Sequence, residues 1–126
     1  MKLFNGRINR LNYWIGNMLL TIFAVTVVYG LPFIYQLIFR SKMPYVNSKI
    51  PIIIIASVLM FYESSFAIRR AHDLGESWNM LSRYGIRDFI NKLRLTYAKG
   101  DGADNAFGSI PKNGIDIKSL LFGKTE

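Results

Sequence analysis

The chain contains no cysteine and one histidine, His72. The first absence excludes disulfide frameworks, thiolate metal sites and cysteine nucleophiles. With one imidazole and no thiolate, a zinc site would need carboxylates for its remaining ligands, so neither a metal nor a cofactor is expected. No phosphate-binding glycine loop, dinucleotide fingerprint or serine–histidine–aspartate set on a nucleophile elbow occurs. Asp101, Asp104 and Asn105 sit among glycines but lack the periodic ligands and closing glutamate of a calcium loop. We therefore expect a protein that is not an enzyme. Negative charge is also scarce: 8 acidic residues stand against 16 lysines and arginines, a net charge of +8.

What the chain has instead is two long apolar runs. Tyr13 to Phe39 contains no charged residue, and about 20 residues at 1.5 Å each suffice to cross the hydrocarbon core. The run overshoots the roughly 7–15 apolar residues of a cleaved signal peptide, which favours a retained span. Gly30 and Pro32 should kink its far end. The second block, Ile50 to Ile68, should gain roughly 3–6 kcal/mol from its large apolar side chains on insertion. Its internal Glu63 opposes this by at most about 3 kcal/mol, so insertion wins. Ile52 to Ile55 would also suit a buried strand, but a strand explains neither the length of the block nor its basic stop.

The predicted fold is an all-α membrane protein: a two-span transmembrane helical hairpin followed by a cytoplasmic amphipathic helix and an irregular tail. Residues 1–12 form a basic N-terminal segment, 13–39 the first span, 40–49 a loop and 50–68 the second span. Asn47 or Ser48 is the expected cap of that second helix. A charged junction covers 69–78, with Arg69, Arg70, His72, Asp73 and Gly75. Residues 79–98 are an amphipathic segment, and 99–126 the tail. In the amphipathic segment Ile86, Phe89, Ile90, Leu93 and Tyr97 recur at helical spacing, bordered by Arg83, Arg87 and Arg94. That stripe fits either a membrane surface or a protein neighbour. The flanking arginines place both termini in the cytoplasm. The basic residues bracket the spans, so they read as contacts to anionic headgroups, made by Arg7, Arg10, Arg69 and Arg70, and not as a nucleic-acid surface.

Glu63 is an ionisable group inside a span and needs a partner. Helical spacing aligns it with Ala56, Met60, Ala67 and Arg70, while Asn17, Thr21 and Ala24 form a matching face on the first span. Asn17 or Arg70 is the expected partner. His72 beside Asp73 could suggest acid–base work, but no catalytic partner accompanies them. The preferred reading is a turn in which Asp73 satisfies backbone or arginine donors and Gly75 adopts a left-handed conformation.

Three groups of residues together resemble one family. Gly6, Arg7, Arg10, Tyr13 and Trp14 open the first span; Arg70, His72, Asp73, Gly75, Ser77 and Trp78 close the second; Lys99, Gly100, Asn105, Phe107, Gly108 and Pro111 lie in the tail. In order and spacing they resemble the domain-of-unknown-function 805 family of small bacterial inner-membrane proteins. The resemblance implies a multi-pass plasma-membrane location and carries no established activity. Family members usually follow the histidine–aspartate motif with a further long apolar region, whereas Asn79 to Ala98 here is polar and contains arginine. The expected function is a non-enzymatic membrane component that forms a homo-oligomer or binds a membrane-protein partner through the Glu63 face. The alternative is an oligomeric small transporter or proton-coupled subunit that titrates Glu63 and His72.

Overall fold

The structure is a computed structural model that describes residues 2–42, 44, 49–77 and 86–123. The expected cap at Asn47 or Ser48, Trp78 at the end of the junction, and Asn79 to Arg83 of the amphipathic segment lie outside them. The described residues are mostly helical: α1 (Arg10–Val25), α2 (Leu31–Phe39), α3 (Lys49–Asp73), α4 (Ile86–Tyr97) and α5 (Ile117–Phe122). They contain no β-strand, and their only ladder pairing is an isolated bridge between Asn105 and Gly108.

Two of these stretches are long and apolar enough to cross a membrane, Arg10–Phe39 and Ile50–Asp73. A core helix of a soluble protein would bury such a stretch, but none of the apolar window of the first is buried and only 11 % of the second. These features fit an integral membrane protein.

The chain divides into two compact units. Unit 2, Met18–Tyr62, holds the apolar parts of both long helices. Where Gly30 and Pro32 raise the expectation of a kink, the helix carries a π-helical turn, Thr26–Gly30, immediately before α2. Pro32 has no N–H to return to the preceding turn, and the widened turn absorbs that loss, with the Leu31 N–H bonding the Thr26 carbonyl. Past Phe39 the helix stops at Arg40, in the left-handed region at φ 51°, whose N–H reaches the Gln36 carbonyl at 2.9 Å. Met18, Ile22, Phe33, Leu37, Ile53 and Met60 all stand exposed on this unit.

Unit 1, Met1–Asn17 with Glu63–Glu126, joins the start of α1, the end of α3, α4, the tail and α5. Asn9 caps α1, its Oδ1 accepting from the Asn12 N–H at 2.8 Å. α1 and α3 approach closely here because Gly16 has no side chain: a Cβ at that position would lie 2.8 Å from the Phe66 ring. The core mixes apolar Ile8, Tyr13, Phe66, Ile68, Ala71, Leu95 and Leu120 with polar Arg7, Asn12, Ser65, Arg69, Arg70 and Asp73. The expected irregular tail is therefore partly ordered. It carries α5, capped by Asp116, whose side chain accepts from the Ser119 N–H at 2.9 Å.

Candidate functional site

The helix does not end where the apolar run ends. α3 continues through Arg69, Arg70 and His72 to Asp73, adding more than a turn of charged helix. It stops in a Schellman arrangement: the Gly75 N–H bonds the His72 carbonyl at 3.1 Å and the Glu76 N–H bonds the Ala71 carbonyl at 3.0 Å. Gly75 sits at φ +75°, where a side chain would be strained. The turn leaves the Asp73 carboxylate pointing into unit 1, where it is 3 % exposed.

Two guanidiniums close on that carboxylate. Arg7 Nε and one terminal nitrogen donate to Oδ1 at 3.2 and 3.1 Å. Arg70 donates to Oδ2 and bonds the Leu95 and Ala98 carbonyls as well. The remaining donors of Arg7 reach the tail, at the carbonyls of Asp101 (2.6 Å), Ala103 (2.7 Å) and Gly108 (3.2 Å). All five N–H groups of Arg7 are thereby matched to acceptors. The Asp101 N–H bonds the Asp73 carbonyl at 2.7 Å, so main chain and side chain of Asp73 both hold the tail. Gly100 makes room for this, since a Cβ there would overlap the Asp73 carboxylate. One carboxylate faces two guanidiniums, and the ring of backbone carbonyls spreads the residual positive charge.

Around this latch the same segments are tied again. The His72 Nδ1 lies 3.1 Å from the Gly6 carbonyl, which can only accept, so the network assigns the proton to Nδ1. The imidazole stacks on Phe107 with centroids 4.1 Å apart and planes within 4°. Asn105 donates to the His72 carbonyl at 3.0 Å. Arg69 donates to the Ser119 carbonyl at 2.8 Å and to its hydroxyl at 2.7 Å, while its buried Nε has no hydrogen-bond partner. The Ile8 N–H bonds the Arg69 carbonyl at 3.2 Å, which brings the start of one long helix beside the end of the other.

Several expectations need correction. Arg7, Arg69 and Arg70, expected at lipid headgroups, are at most 6 % exposed and turned to internal acceptors. The flanking pattern reports charge near a span end, not which way a side chain turns. Of that set Arg10 alone is exposed, and it donates to the Tyr97 carbonyl at 3.4 Å. Glu63 pairs with neither Asn17 nor Arg70: its carboxylate meets Lys92 on α4 at 3.1 Å, with both side chains about half exposed. Arg70 turns instead toward Asp73, and the Asn17 amide donates to the Tyr13 carbonyl at 2.8 Å. Residues not singled out from the sequence include Asn9 and Asn12. Asn9 donates to the Lys112 carbonyl, and Asn12 both donates to the Gly114 carbonyl and accepts from the Asp116 N–H, at 2.9–3.0 Å. Two asparagines in a basic segment carry no local signal for contacts made about a hundred positions later.

Chemically, the arrangement holds better than it reacts. A general base needs a lone pair that a substrate can reach, and the Asp73 oxygens lie behind two guanidiniums. Among the described residues no three histidine, aspartate or glutamate side chains converge as metal ligands. A family model described as "Protein of unknown function (DUF805)" matches residues 2–109, a stretch that contains the whole latch. No curated protein matches the chain, and no solved structure does.

Proposed function

The chain belongs to the DUF805 family, and from that premise we propose that it is a non-enzymatic component of the bacterial inner membrane that associates with itself or with another membrane protein. The observation that carries this reading is the enclosure of the junction. The charged groups with the most chemical potential, Arg7, Arg69, Arg70 and Asp73, are buried and largely spent on internal bonds. What the chain offers to its surroundings is apolar surface on the long helices. The adjacency of Ile8 and Arg69 supports a hairpin whose basic ends share one side, the cytoplasmic side by the charge bias. Arg10 remains available to anionic headgroups.

The association surface on this reading is the exposed apolar face of Met18–Tyr62, and not the Glu63 face, because Glu63 is engaged by Lys92. Extraction into native-lipid particles, followed by mass measurement, tests it. The expected result is a particle holding more than one copy, or one copy with a co-purifying membrane protein. A strictly monomeric particle without a partner would overturn the proposal. Such an outcome would also remove the oligomeric transporter alternative, which needs several copies to line a path past Glu63 and His72.

A further inference from the structure

We propose that α4 is an interfacial helix. It lies in the boundary between headgroups and acyl chains, on the side where the junction emerges, with Phe89, Ile90, Leu93 and Tyr97 covered by anionic lipid. This rests on the membrane reading above and adds to it an occupant for a specific surface.

The helix presents its apolar stripe in an unusual direction. At about 100° per residue, Leu93 and Leu95 point roughly 200° apart. Leu95 is 2 % exposed and packs inward, whereas the four stripe residues are 43–64 % exposed. A helix bordered by water on its outer side turns polar groups that way; α4 turns its apolar groups away from the protein.

Two contacts fix its height. Lys92 meets Glu63, which lies inside the second apolar stretch, less than two turns before Arg69 opens its charged end. At the other end, Tyr97 meets Trp14 edge to face with centroids 6.5 Å apart, and the Trp14 indole N–H lies 3.4 Å from the Thr96 carbonyl. Trp14 sits in the first turns of the first apolar stretch. α4 is thus tied alongside the ends of both stretches, at the level where amphipathic aromatic rings belong. Charge agrees with an anionic lipid surface: Lys99 and Arg10 are exposed around the stripe, beside Lys92 and Arg94, which are exposed but paired with Glu63 and Glu76.

The absence of cysteine permits single-site labelling without background. Leu93→Cys and, independently, Ile90→Cys would carry nitroxide labels on the full chain, reconstituted in phosphatidylcholine–phosphatidylglycerol vesicles. Both labels should be several-fold more accessible to oxygen, relative to an aqueous nickel chelate, than a label at Gly102→Cys. Their depth should be about 5–10 Å below the phosphates. Labels at positions 90 and 93 that read as water-exposed would overturn the interfacial helix. Dipolar broadening that persists on lipid dilution would overturn it too, because a second copy would then cover the stripe. A label at Ile22→Cys separates the two levels of the argument: lipid exposure there with water exposure on α4 defeats this inference alone, while water exposure at all three sites defeats the membrane reading beneath it.

Discussion

Arg7 and Asp73, 66 positions apart, meet with two guanidinium nitrogens on one carboxylate oxygen, at 3.1 and 3.2 Å. Because Arg70 occupies the other oxygen, this carboxylate ties the N-terminal segment to the end of α3. Asp73→Asn would leave two buried guanidiniums facing a neutral amide. Removing one partner of a buried ion pair costs about 3–5 kcal/mol, mostly from the charge left uncompensated. Thermal unfolding followed by circular dichroism in detergent micelles should show a clearly lowered midpoint. Arg7→Lys should fall too, since three ammonium donors cannot serve the acceptors that five guanidinium donors reach. An unchanged midpoint for Asp73→Asn would refute the latch.

The close passage of α1 and α3 at Gly16 gives a second prediction. A methyl group there would come within 2.8–3.2 Å of three ring atoms of Phe66, and the ring is buried and cannot simply swing aside. Gly16→Ala should destabilise by about 1–3 kcal/mol through overpacking. Combining it with Phe66→Leu should recover part of that loss, because the smaller side chain vacates the contested space. The double-mutant cycle measures this directly, and strictly additive effects would mean that the two residues do not confront each other.

What could be read in the sequence follows the range of the interactions involved. The two long helices were legible because a charge-free run from Tyr13 to Phe39 is a local property. The reading of Asp73 as an arginine acceptor, and of Gly75 as a left-handed turn, also came from near neighbours, and Arg70 is three residues away. The tail could not be read this way. Its order comes from Arg7, Asn9 and Asn12 bonding backbone groups 94–104 positions onward, and backbone groups have no sequence signature. The same limit misplaced Glu63. Helical spacing aligned it with Arg70 on its own helix, but the cation that meets it is on a different helix, where periodicity along α3 says nothing.

That revised pairing yields a third prediction. The Glu63–Lys92 pair is about half exposed on both sides, so its net worth should be within about 1 kcal/mol. Because the pair lies within one chain, Glu63→Gln should leave the oligomer distribution seen by crosslinking unchanged. Loss of oligomers on that substitution would return the association surface to the Glu63 face.

The clasp on the tail can be tested by proteolysis. Asn12 is 4 % exposed and uses both ends of its amide: Nδ2 donates to the Gly114 carbonyl at 3.0 Å, and Oδ1 accepts from the Asp116 N–H at 2.9 Å. That second bond holds the residue whose side chain caps α5, the helix that Arg69 grips through Ser119. Asn12→Ala would strand an acceptor and a donor together, at a cost of about 1–3 kcal/mol. If tail opening is fast relative to cleavage, that cost raises the open population, and with it tryptic cutting after Lys112 and Lys118, by roughly 5- to 150-fold. Asn12→Asp keeps an acceptor for the Asp116 N–H but loses the donor to Gly114 and adds a charge near Asp116. It should therefore also cut faster than the native chain. Equal cutting rates for all three proteins would mean that Asn12 does not hold the tail closed.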